Sequence, residues 1–85
     1  LKVATQVADL YPEFAPARAA RGVILARLGR RDEAHKEIAK AQLLSDDAEV
    51  TFQAACAFAL TSQNEPADWM KAVELLRKAL RDGYS

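Results

Sequence analysis

The chain repeats itself, and the length of the period leaves few folds open. Displacing the 85-residue sequence by 34 positions lays Ala4 on Ile38, Val7 on Ala41, Leu10 on Leu44 and Pro12 on Asp46. The same shift brings Gly22 onto Cys56, Ile24 onto Phe58 and Leu25 onto Ala59. Beyond residue 62 the shift becomes 38, which superimposes Ala34 on Ala72, Ile38 on Leu76, Lys40 on Lys78 and Ala41 on Ala79. The extra residues fall within Ser62-Gln63-Asn64-Glu65-Pro66-Ala67, the most turn-like stretch of the chain. Such a period belongs to stacked supersecondary units, each too small to bury its own apolar face, so the core must run between neighbours.

Within each period the apolar spacing is helical. Val3, Val7 and Leu10 form the stripe of a first helix that ends before Tyr11-Pro12. A second helix is predicted from about Ala15 to Leu28, with Pro16 in its first turn, where a missing N–H costs nothing, and Gly29 as its stop. A third runs from about Arg31 to Leu43, with Ala34, Ile38 and Ala41 on one face and His35 on the outward side beside Lys36. The fourth opens at Asp46, whose carboxylate is expected to cap it while Glu49 reaches back. Its run from Val50 to Leu60 is apolar on nearly every side, so it is expected to be the most buried helix. The fifth spans about Pro66 to Arg81, with Trp69, Ala72, Val73, Leu76, Ala79 and Leu80 inward and Gly83 at its end. No segment alternates with period two. The expected architecture is all-α, five antiparallel helices in one small unit.

Composition agrees and excludes several functions. With 51% hydrophobic and 28% charged residues, three Gly and three Pro, the chain reads as globular, and no apolar run is long enough to span a bilayer. Twelve basic and twelve acidic residues give no net pull toward nucleic acid or an anionic membrane, and neither is an expected partner. A single cysteine cannot close an intramolecular disulfide, which suits a reducing, cytoplasmic setting. Leu1 stands in mid-pattern with no initiator Met or leader, so the expectation is a piece of a longer protein. No catalytic residue, metal ligand or cofactor is expected either. His35 reads as a solvated surface group with no nucleophile beside it, Cys56 as a small core residue, and Asp46, Asp47 and Glu49 as a cap rather than a calcium loop. Phe52, Phe58 and Trp69 fall at core spacing, and no glycine-rich loop precedes a helix.

The helix-turn-helix period resembles the tetratricopeptide repeat. Its small and large positions are matched in one period by Gly22, Leu25, Gly29, Ala34, Ile38 and Ala41, and in the next by Phe52, Ala55, Cys56, Ala59, Ala72, Leu76 and Ala79. Pro12 fills the closing-proline slot of a preceding half repeat. The resemblance divides the chain into a half repeat at 1–14, a full repeat at 15–48 and a second at 49–85 with the insertion in its internal turn. Arg18 and Arg21 stand where the family usually has Trp and Leu, and Asp46 and Asp47 replace a closing Pro. "RGVILARLGRRDEAH", "TFQAACAFALTS" and "ELLRKALRDGY" are also similar to the tetratricopeptide tail of large bacterial serine/threonine protein kinases, although no kinase motif is present.

What the resemblance implies is a non-catalytic protein-interaction or scaffolding module of a larger bacterial protein. Its concave side would be lined by the second and fourth helices, where a peptide or protein segment would meet Ala19, Val23, Ala26 and Arg27, then Val50, Gln53, Ala57 and Leu60. The strip lacks the Lys and Asn of a carboxylate clamp, so an apolar or extended segment steadied by Arg27 is expected. The alternative is a regulatory segment docking to its own parent chain, such as a kinase domain. A further expectation is self-association through exposed end helices. Arg18, Arg21, Arg27, Arg30 and Arg31 occur without an intervening acid, an arrangement that suggests an anion- or RNA-binding face. Neutralisation by Asp32, Glu33 and Glu37, or by Asp9 and Glu13, is the favoured reading. Arg21 lies on the packed side of its helix, so its stem is expected to lie along apolar surface with the guanidinium at the edge, or the charge to pair with a carboxylate such as Asp9 or Glu37.

Overall fold

The computed structural model describes Gln6, residues 9–11 and residues 13–84. Among them are four helices and no strand: α1 (Ala15–Arg27), α2 (Arg31–Leu44), α3 (Ala48–Thr61) and α4 (Ala67–Arg81). The expected first helix lies largely outside the described residues; of it, Gln6, Asp9 and Leu10 are helical.

The helix stops follow from two glycines. Gly29 has φ 77° and Gly83 φ 98°, the left-handed region that a side chain would strain. After α1 the Arg30 N–H reaches the Leu25 carbonyl at 3.0 Å and the Gly29 N–H that of Ala26 at 3.1 Å. After α4 the Tyr84 N–H reaches Ala79 at 2.9 Å and the Gly83 N–H reaches Leu80 at 3.2 Å. Both ends are therefore Schellman motifs, which use up the orphan carbonyls of the last turn. The entry to α3 differs from the expected capping box. Asp47, not Asp46, is the N-cap, and no side chain caps the helix. The helix starts one residue later than the box requires, and Ser45 Oγ instead accepts the Asp47 N–H at 3.1 Å.

Helix α3 packs against all three others, α1 packs against α2, and neither α1 nor α2 packs against α4. The core runs through Ala19, Leu25, Ala26, Ala34, Ile38, Ala41, Val50, Ala54, Ala57 and Leu75. Small residues dominate because the helices approach closely. A Cβ built on Gly22 would meet Ile38 Cδ1 and Cγ1 at 2.8 Å and the Ala34 carbonyl oxygen at 3.2 Å. A side chain at 22 therefore requires Ile38, or the backbone of α2 at Ala34, to shift.

On α4 the inward face is narrower than expected. Ala72, Leu75 and Ala79 are buried, whereas Trp69, Leu76 and Leu80 are exposed. Leu75 and Asp68 take the inner positions. The reason is that α4 meets only α3 among the described helices, so one stripe is enough to fill the contact. No helix among the described residues is long and apolar enough to cross a membrane.

Candidate interaction groove

The eight residues expected to form one ligand face divide into two sets. Ala19, Ala26, Val50 and Ala57 are buried in the core and cannot touch a ligand. All four belong to the core cluster, on two helices that pack against each other. Val23, Arg27, Gln53 and Leu60 instead line a groove of about 430 Å³ along the same pair of helices.

The sequence reading missed the rest of this groove. Glu49, Phe52, Cys56 and Ala59 of α3 complete one wall, and Tyr84 closes an end. The Schellman turn at Gly83 delivers Tyr84 there, and its ring stacks on Phe52 with centroids 4.3 Å apart and planes at 9°. Cys56 is half-buried rather than core. Burial pushes its thiol up from the ordinary value, and the nearby positive charge of Arg27 opposes this without reversing it. The groove thus has an apolar floor, an amide from Gln53, and opposite charges from Arg27 and Glu49.

Beneath the surface two polar networks fix the helices. In the first, Arg21 donates from Nε at 3.0 Å and Nη2 at 2.8 Å to Oε2 of Glu37, and Arg18 Nη1 lies 3.4 Å from Oε1. Arg21 also reaches Asp9 at 3.5 Å. Both expected partners are thus present, and the two arginines straddle a buried glutamate. Arg30 pairs with Glu33 at 2.7 Å. Four of the five clustered guanidiniums therefore already face carboxylates, counting Arg31 below.

The second network adds to one expectation and corrects another. Arg31 lies 3.9 Å from Asp32, one of the expected carboxylates, and its bidentate partner is Asp68 on α4, at 2.9 and 3.0 Å. His35 is not a solvated surface group. Its ring stacks on Phe58 with centroids 4.3 Å apart, and its Nε2 lies 3.0 Å from Thr61 Oγ1. Thr61 Oγ1 is in turn 2.7 Å from Asp68 Oδ2. A carboxylate only accepts, so the single hydroxyl proton goes to Asp68, and Nε2–H of His35 donates to Thr61. Hydrogen bonds from Arg31, then from Thr61, hold the Asp68 carboxyl down at about 2 against the opposing effect of burial. Burial, and next the Arg31 charge, lower the pKa of His35, keeping the ring neutral. The chain ties α2 to α4, which do not otherwise pack. Such a network is invisible to helical periodicity, which reads Asp68 as a first-turn acid and His35 as an outward residue.

Among the described residues no group of three or more His, Cys, Asp or Glu side chains is placed to hold a metal ion. No family model, curated protein or solved structure matches the chain.

Proposed function

We propose that the chain is a tetratricopeptide-like interaction module that holds an extended peptide segment in the groove between α1 and α3. The observation that carries this reading is the convergence of Val23, Arg27, Gln53 and Leu60, drawn from two helices 34 positions apart in register, on one open groove. The order of packing supports it. α1 with α2 and α3 with α4 are neighbouring helix pairs, and the first helix of each pair lies against the first helix of the other. That leaves α1 and α3 sharing one side of the stack, where successive repeats present their ligand surface. Gly22 supports it further, because there is no room for a Cβ between it and Ile38, and a small residue at the helix crossing is what the repeat pattern requires.

The groove sets the chemistry of the ligand. An apolar floor takes one or two aliphatic side chains, Gln53 offers donor and acceptor to a main-chain amide, and Arg27 and Glu49 orient the segment by its charges. The test is selection from a random peptide display library with the chain as bait, followed by binding of the enriched peptides to Val23→Asp and Leu60→Asp variants. Enriched peptides should carry aliphatic residues next to an acid and lose at least tenfold in affinity for both variants, on the order of 1.4 kcal/mol. No enrichment, or binding to both variants as tight as to wild type, contradicts the proposal.

A further inference from the structure

Two sets of exposed apolar side chains, one just before α1 and one on α4, lie outside the lining of the groove between α1 and α3. In the first, Leu10 is 74% exposed and Phe14 52%, with Tyr11 beside them. In the second, Trp69 is 57% and Leu80 59% exposed. The two sets cannot satisfy each other within one chain, since α1 and α4 do not pack.

The set on α4 is more than an exposed stripe. Phe52, Cys56 and Ala59 of α3 and Trp69, Val73 and Leu76 of α4 enclose an almost wholly apolar pocket of about 150 Å³. A cavity of about this size accepts a benzene ring. The self-similarity of the sequence shows what such a face does. Trp69, Val73 and Leu76 correspond to Arg31, His35 and Ile38, and Cys56 and Ala59 correspond to Gly22 and Leu25. In the first half those positions are covered: Ile38 and Leu25 are buried, His35 stacks on Phe58, and Arg31 grips Asp68. In the second half the same positions are open, and the two polar anchors have become Trp and Val. The second face is thus built to receive an apolar element.

The charges choose the occupant. Arg77 and Arg81 border the exposed stripe of α4, both exposed and without an ion pair among the described residues. Before α1, Glu13 is exposed beside Tyr11 and Phe14, and Asp9 is 71% exposed. We infer that copies of this chain associate head to tail, the Tyr11–Phe14 end of one copy entering the pocket between α3 and α4 of the next, with Glu13 facing Arg77 and Arg81. The contact is heterologous, because the two surfaces differ, so it extends rather than closing at a dimer.

Sedimentation equilibrium over a wide concentration range tests this. The wild-type weight-average mass should rise beyond twice the chain mass, and less so at high salt, which screens the exposed charges. Two singly blocked variants are informative. Tyr11→Ser with Phe14→Ser removes the entering end, and Ser at the N-cap position of α1 is a residue that favours the helix. Arg77→Glu with Arg81→Glu reverses the charge of the receiving end at exposed positions. Each variant alone should stay at monomer mass with helical content unchanged by circular dichroism, and an equimolar mixture of the two should form a discrete heterodimer and stop there. A wild-type chain that remains monomeric overturns the inference. So does a singly blocked variant that self-associates like wild type, which would mean a symmetric contact, or a mixture that yields no heterodimer.

Discussion

Replacing Glu37 by Gln should expose how much the arginines of α1 depend on it. Glu37 is the shared acceptor for Arg18 and Arg21, and its side chain is 11% exposed. Removing one partner of a buried pair costs about 3–5 kcal/mol, because the remaining charge stays buried without compensation. Here the guanidiniums keep some access to water, Arg21 retains Asp9, and glutamine still accepts one hydrogen bond. The expected loss is therefore about 2–3 kcal/mol. Native stability of about 0.05–0.15 kcal/mol per residue makes this a large part of the total. By urea denaturation followed by circular dichroism at 222 nm, the midpoint should fall by about 2 M at an m-value near 1 kcal/mol/M. Replacing the whole triad by Arg18→Met, Arg21→Leu and Glu37→Met should recover stability to wild-type level or above, as apolar replacement of a buried Arg–Glu–Arg triad does in Arc repressor, the established case behind this argument. A Glu37→Gln variant within 0.5 kcal/mol of wild type, on the scale of an ordinary surface substitution, would refute the reasoning: the triad would then behave as a surface pair.

Two further outcomes follow from the same contacts. Gly22→Ala gains about 1 kcal/mol of helix propensity but meets Ile38 and the Ala34 carbonyl, an overpacking worth about 1–3 kcal/mol, so thermal unfolding should come several degrees earlier; a rise in Tm would show that α1 and α2 have slack. Acid should destabilise the fold in two steps. The pKa of His35 is lowered on folding, so its contribution is complete above the ordinary value of 6.5 and declines as pH falls through it. Asp68, held at about 2, contributes above the usual carboxylate value of 3.8 and is lost as pH falls toward 2, a term of about 2 kcal/mol. Urea midpoints against pH should lose the upper step in His35→Gln and the lower step in Asp68→Asn, and unchanged profiles in both variants would dissociate the network from stability.

The helices were legible because periodicity, Pro16, Gly29 and Gly83 act locally. The four described helices begin and end within two residues of where those signals place them. Gly22 was legible as one of the small positions of the repeat, and the structure makes it the close approach between α1 and α2. Faces were harder. A helix carries one strong periodic signal, and that signal cannot separate a stripe facing a neighbouring helix from one facing an open groove. Ala19, Ala26, Val50 and Ala57 therefore read as ligand surface although they are buried in the core. Trp69, Leu76 and Leu80 read as core because apolar residues on one side of a helix usually are, and here the inner side is taken by Ala72, Leu75 and Ala79. The Arg31–Asp68–Thr61–His35 network joins residues up to 37 positions apart in the chain, and no local pattern marks such a pairing. Arg21 was the exception: a charge placed among apolar neighbours demands a partner, and Glu37 lies one helix away.

The groove between α1 and α3 is best tested by a titration of isotopically labelled protein with a peptide from the display selection, read residue by residue in amide correlation spectra. The account predicts the largest shifts at Val23, Arg27, Gln53, Cys56 and Leu60, and small ones at Met70, Arg77 and Arg81. Shifts concentrated on Trp69, Val73, Leu76 and Leu80, with the α1 positions unmoved, would contradict it and move the ligand site to the other face of the molecule.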